Sequence, residues 1–290
     1  MNVYKVSPRG YCSGVVEALK IVKDTISQFP NQKIYMLGLF VHNPNMIKEF
    51  ENKVVILDDT NISRYKLVEN LPIANNNEII ILSAHGTDFK TIYLAINKGY
   101  KVINTTCKYV NQTHDAIKES ISKNHHIIFI GKKNHPETNA IISNNPSIHF
   151  VENYNDIFNI NIADTSPIDV YNQTTLSIFD IKHLHDEILS KFNNVNIYNE
   201  ICDATTQRQL SLYNFDKKVD IFFVIGYKKS SNSNELYKIA KKRFNNAFLI
   251  NSIEEINLKW LDGVKNIGIT SGTSTPTELT NKIIKFLEEF

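Results

Sequence analysis

Nine times along this chain a short apolar run is followed by a polar or glycine-containing turn and then by an amphipathic stretch. The runs are Val3–Val6, Lys33–Leu37, Glu78–Leu82, Lys101–Asn104, Ile127–Ile130, Val170–Tyr171, Asn196–Tyr198, Asp220–Ile225 and Asn266–Thr270. Their length and β-branching suit parallel strands covered on both faces, which read as near-continuous apolar segments. Strand–helix alternation predicts parallel sheets with right-handed crossovers. Nine units are too many for one ordinary open sheet, and they divide into three groups of three.

The cysteines mark the period. Cys107 lies 95 residues after Cys12, and Cys202 lies 95 after Cys107. Each follows a strand and precedes a helix. The spacing reads as an internal triplication: an α/β chain of three pseudo-threefold-related domains, with parallel sheets arranged around a central cavity. The expected domains are 13–106, 107–201 and 202–290. Residues 1–12 form a strand leading to the first cysteine, and the pattern assigns it to no sheet. Ligands of open α/β sheets bind beyond the carboxyl ends of the strands, where all nine polar turns fall.

Composition narrows the classes. In 290 residues, 32 basic side chains face 30 acidic ones, so no global field argues for nucleic acid or an anionic membrane as partner. Three cysteines are too few for a disulfide scaffold. The N-terminus lacks a basic segment followed by an apolar one, and no apolar run is long enough to span a bilayer. A soluble, cytoplasmic enzyme or binding protein is expected. Arginine is rare, occurring at Arg9, Arg64, Arg208 and Arg243, so an arginine inside a motif is informative.

A lone cysteine is most often a small buried hydrophobe. Three at equivalent turns, all beside helix N-termini where the dipole favours thiolate, suggest a trigonal sulfur platform. Zinc and an iron–sulfur cluster are both candidates. Structural zinc usually takes four ligands at short spacings. A [4Fe-4S] cubane held by three thiolates leaves one iron open to act as a Lewis acid while the cluster supplies electrons. His42, His85 and His135 each occupy a strand-end turn. Ser230, Ser231, Asn232 and Ser274, together with helix N-terminal N–H groups, form an anion site of the diphosphate kind; Ser230 also suits a helix cap. Few Lys or Arg lie in these turns, which favours one small diphosphate over a polyanion. Glu137, after His-Pro, is either a proton donor or first-turn charge complementing the helix dipole. Thr174 can orient a substrate hydroxyl or pass a proton.

The motifs Pro8-Arg9-Gly10-Tyr11-Cys12-Ser13-Gly14, Val41-His42-Asn43, Ser83-Ala84-His85-Gly86, Thr105-Thr106-Cys107, His135-Pro136-Glu137, Gln173-Thr174-Thr175-Leu176-Ser177, the Ile201–Gln209 segment and Ser230-Ser231-Asn232-Ser233-Asn234 together resemble the 4-hydroxy-3-methylbut-2-enyl diphosphate reductases of the methylerythritol phosphate pathway of isoprenoid biosynthesis. The resemblance runs from Pro8 to about Leu279. It implies a three-domain, trefoil-like fold around one [4Fe-4S] cluster per chain. It also implies reductive dehydroxylation of an allylic diphosphate to isopentenyl and dimethylallyl diphosphate. Cys12, Cys107 and Cys202 match the cluster ligands. His42, His85, His135, Ser230, Ser231, Asn232 and Ser274 match the diphosphate contacts. Glu137 matches the proton source, and Thr174 the residue at the substrate hydroxyl, with Thr205 in the same pocket. An electron donor such as ferredoxin or flavodoxin follows, since no nicotinamide or flavin fingerprint is present. A zinc hydrolase and a non-catalytic diphosphate-binding protein are the rival classes.

Overall fold

The computed structural model describes residues 1–39, 50, 52–75, 77–163, 165–198 and 201–290. All nine expected strands form: β1 (Asn2–Lys5), β2 (Ile34–Leu37), β4 (Ile79–Leu82), β5 (Lys101–Ile103), β6 (His126–Ile130), β8 (Ile168–Asn172), β9 (Val195–Ile197), β10 (Ile221–Ile225) and β12 (Asn266–Ser271). Three more were not read from the sequence: β3 (Val55–Leu57), β7 (His149–Val151) and β11 (Ala247–Ile250).

The strands build three four-stranded sheets, ordered β3-β2-β4-β5, β7-β6-β8-β9 and β1-β12-β10-β11, and every pairing is parallel. Read from the opposite edge, the third order is β11-β10-β12-β1, which repeats the first two. The strand before each cysteine therefore occupies the same edge of its sheet. In the third sheet that strand is β1, whose Asn2 sits in register with Asn266 and whose Lys5 sits with Ile269. The strands read most easily lie at the centre. Ile-Ile-Ile-Leu of β4 and Ile-Phe-Phe-Val-Ile of β10 are buried at every position.

Alternation sends successive side chains to opposite faces. In the second sheet Ile128, Ile130, Ile168 and Val170 pack with Ile181 and Ile188 of helix Ile178–Lys191 on one face. Ile127, Phe129 and Tyr171 pack with Ile117 and Ile141 on the other. Burying such side chains contributes about 1.5–3 kcal/mol each. By contact density the chain forms two compact units. One contains Met1–Val16, Cys202–Phe290 and the β1-β12-β10-β11 sheet; the other contains the remaining two sheets. Among the described residues no helix is long and apolar enough to cross a membrane.

Candidate active site

Each cysteine stands at a helix start. Cys107 precedes helix Lys108–Ser122 and Cys202 precedes helix Asp203–Tyr213, both as N-caps whose side chains make no capping hydrogen bond. Cys12 precedes helix Ser13–Gln28, and its carbonyl accepts from Val16 N at 3.0 Å. A cysteine gives the N-cap no good acceptor, whereas Ser, Thr, Asp or Asn would. The thiols of Cys107 and Cys202 are thus placed at helix starts without being used to cap them. None of the three cysteines is in a disulfide, and all are partly buried.

In the unit that holds Cys12 and Cys202, hydrogen bonds link the two cysteines. The Cys202 thiol donates to Thr205 Oγ1 at 3.2 Å. The same oxygen accepts from Asn232 Nδ2 at 3.2 Å, and Asn232 Oδ1 accepts from Thr273 N at 3.0 Å. Thr273 O then accepts from Cys12 N at 3.1 Å. Ser230 caps helix Ser231–Arg243 by accepting from Ser233 N, and Ser274 Oγ donates to Ser230 Oγ at 3.3 Å. Ser230, Ser231, Asn232, Ser274 and Thr205 are all buried. The sequence-predicted hydroxyls and amide of this unit therefore do meet, around one helix N-terminus. Their close approach requires Gly272, since a Cβ there would stand 2.2 Å from Ser233 Oγ.

Arg208 lies under this network. Its Nη2 donates to Gly10 O at 2.7 Å and its Nη1 to Ala204 O at 3.0 Å. Gly10 adopts φ +74°, and a Cβ at that position would stand 2.4 Å from Thr277 Oγ1, so only glycine fits the turn that presents Cys12. Burial pulls the Arg208 guanidinium below its usual range, while electrostatic interaction with Cys12 and Cys202 acts in the opposite sense.

The second unit holds the carboxylate. Glu137 is buried in the first turn of helix Pro136–Asn144, whose N-cap is His135. Thr174 binds it at two points. Thr174 N donates to Oε1 at 2.8 Å and Thr174 Oγ1 to Oε2 at 2.9 Å. Glu137 N donates to His135 Nδ1 at 3.3 Å. Gln173 Oε1 accepts from Lys132 N and Thr138 Oγ1, fixing the strand end from which Thr174 projects. The His85 and His135 rings meet edge to face, centroids 5.6 Å apart. Cys107 N donates to Ala84 O at 3.0 Å, tying the cysteine turn to the His85 turn. His85, Cys107, His135, Glu137 and Thr174 are thus gathered at the ends of β4, β5, β6 and β8. His42 lies outside the described residues.

With this geometry in hand, comparison with known proteins decides the family. The LytB protein family model matches residues 3–288. The chain belongs to that family. A relative from Malacoplasma penetrans, named 4-hydroxy-3-methylbut-2-enyl diphosphate reductase, is 42% identical over 292 residues, covering 100% of this chain and 98% of the relative. One of the same name from Bacillus licheniformis is 37% identical, covering 100% of this chain and 91% of the relative. Among solved structures, the E-1-hydroxy-2-methyl-but-2-enyl-4-diphosphate reductase from Plasmodium falciparum matches with TM-score 0.90 and 31% identity, covering 99% of this chain and 87% of that one. A second, titled as the terminal enzyme of the non-mevalonate pathway, matches with TM-score 0.69 and 28% identity over the full length of both chains.

Two residues of this family member escaped sequence reasoning. Arg208 and Gln173 lie inside quoted motifs but received no role. The scarcity of arginine was a usable signal for Arg208; for Gln173 there was none. Helix Arg64–Glu69 was also missed. Its Arg64 pairs with Asp59 at 2.8 Å and donates to Ser83 Oγ, Gly86 O and Thr87 Oγ1, which holds the His85 turn. His114 Nε2 would lie 3.6 Å from a Cβ at Gly86. Burial, reinforced by Lys118 and opposed by Asp115, pushes its imidazole down to about 4.

Proposed function

We propose that this LytB-family chain reduces 4-hydroxy-3-methylbut-2-enyl diphosphate to isopentenyl and dimethylallyl diphosphate, using one [4Fe-4S] cluster held by Cys12, Cys107 and Cys202. The observation that carries the reading is the buried Glu137–Thr174 pair beside His135, in a chain whose full-length relatives bear that enzyme's name. The donor set fits a cluster. Three thiols stand at helix starts, two of them as N-caps that make no capping bond, and a buried cation acts on Cys12 and Cys202. Among the described residues no three His, Cys, Asp or Glu side chains crowd together as ligands of a single ion do; a cubane's cysteines bind separate irons and stand farther apart. When bound, the cluster supplies the electrons and one iron open to the substrate.

The chain's own residues do the rest. Ser230, Ser231, Asn232 and Ser274 receive the diphosphate at a helix N-terminus, where N–H groups and the dipole favour anions. His42, His85 and His135 complete that site. Thr174 holds the Glu137 carboxyl in one orientation and contacts the substrate hydroxyl. Glu137 carries the proton with which that hydroxyl leaves as water. Two electrons and two protons enter, one C–O bond breaks, one C–H bond forms, and water departs. The electrons come singly from a small donor of the ferredoxin or flavodoxin kind, in the cytoplasm. The domains are proposed as 13–106, 107–201 and 202–290, with residues 1–12 completing the last.

Anaerobic purification with iron and sulfide analysis tests this. About four of each per chain and a visible absorption band are expected. A colourless protein with stoichiometric zinc overturns the reading. In the loaded protein, Glu137→Gln should cut turnover by at least ~100-fold and leave the band intact; normal turnover would remove Glu137 from the proton-donor role.

A further inference from the structure

Among the buried charges that the proposed reaction does not use, Arg208 has no carboxylate partner among the described residues. Arg208 is only 3% exposed. Both of its bonded nitrogens serve backbone carbonyls, Gly10 O and Ala204 O. Those carbonyls stand two residues before Cys12 and two residues after Cys202. Its Nε has no hydrogen-bond partner, and among the described residues no carboxylate pairs with it. The titratable groups whose electrostatics act on it are Cys12 and Cys202, the residues that would hold the cluster. A buried cation without a counter-charge costs several kcal/mol, so a folded state that keeps one needs an anion beside it.

We propose that Arg208 is a positioning residue for the cluster: it clamps the turns bearing Cys12 and Cys202 and supplies a fixed positive charge beside both ligands. The proposal rests on the cluster-dependent reading above. Three thiolates and a cubane carry net negative charge, and reduction adds another electron. A fixed neighbouring cation stabilises both the bound cluster and its reduced form. Charges and hydrogen bonds next to ligand sulfurs are the levers by which a protein sets such potentials. The guanidinium suits the role because it stays charged when buried.

The test compares wild type with Arg208→Lys, Arg208→Gln and Arg208→Met, all purified anaerobically. Folding is followed by circular dichroism, loading by iron and sulfide per chain, and the midpoint potential by EPR-monitored titration. The Gln and Met variants should fold, hold less cluster, and shift the reduction equilibrium at least tenfold toward the oxidised form, about 59 mV for one electron. Arg208→Lys keeps the charge and should stay near the wild-type potential even where loading drops. Unchanged loading and potential in the Gln and Met variants overturn the proposal. Equal shifts in Lys and Met variants also overturn it, because the charge would then be irrelevant. If no variant folds, Arg208 is a backbone clamp only and the proposal fails. A wild-type chain without iron or sulfide sinks the functional reading instead, so the two failures are distinguishable.

Discussion

Arg64 and Arg208 are both buried and both hold a turn that carries site residues, yet their surroundings are opposite. Arg64 has a carboxylate partner in Asp59 and three further acceptors around His85. Arg208 has two carbonyls, an unused Nε and, among the described residues, no carboxylate; Cys12 and Cys202 are the titratable groups that act on it. The first region is electrostatically complete within the polypeptide and needs nothing further to stand. The second has, among the described residues, no carboxylate to balance its charge. The contrast separates an arginine paired within the polypeptide from one that the proposal assigns to the cluster.

Three measurements press on that contrast. The largest expected effect is at Arg64. Arg64→Met strands the largely covered Asp59, whose side chain is 11% exposed, and should destabilise the cluster-free chain by about 3 kcal/mol in urea unfolding. Adding Asp59→Asn should return part of that loss. Arg208→Met in the same cluster-free chain should cost clearly less, because no carboxylate is left behind. Similar losses at the two arginines would erase the distinction.

The next effect belongs to His114, which packs at Gly86 in the Arg64 region. The unfolded chain takes up a proton near 6.5, whereas the folded imidazole resists until about 4. The unfolded state therefore binds more protons in that window, and stability falls as pH drops through it. Its contribution is fully present above 6.5. Allowing for solvent screening at its exposed edge, the loss by pH 4 is about 2 kcal/mol. His114→Gln should flatten the urea midpoint against pH by that amount, and an unchanged slope would assign the acid sensitivity elsewhere. The smallest effect is at Thr205, in the Arg208 region, where neutral hydrogen bonds do the linking. Thr205→Val should cost about 1 kcal/mol in the cluster-free chain. A cost as large as that of Arg64→Met would show that the second region is as self-sufficient as the first.

Much of the fold was legible. The nine strands lie within two residues of the apolar runs, because strands buried on both faces must be apolar throughout. The three missed strands, Val-Ile-Leu, His-Phe-Val and Ala-Phe-Leu-Ile, are short, partly exposed edge strands with no motif after them. Nothing in their periodicity distinguishes them from loop. Within the site, the proximity of Ser230, Asn232 and Ser274 and the nearness of Glu137 to Thr174 agree with what the strand-end turns suggested. The Thr205–Asn232–Thr273 relay did not announce itself, since each member alone is an ordinary polar residue.

The sequence by itself determined the alternation of strand and helix, the 95-residue recurrence of cysteine and the polar turns at strand ends, all written in local composition and spacing. The tertiary structure decided which distant partners complete each feature. β1 pairs with β12 from the far end of the chain, Arg208 reaches back 198 residues to Gly10, and Thr174 closes on Glu137 from 37 residues away. Local pattern selects elements because side-chain periodicity is a property of neighbouring residues. Partners are selected by the packing of whole sheets, where burial requires that each polar group find an acceptor or donor wherever in the chain it lies.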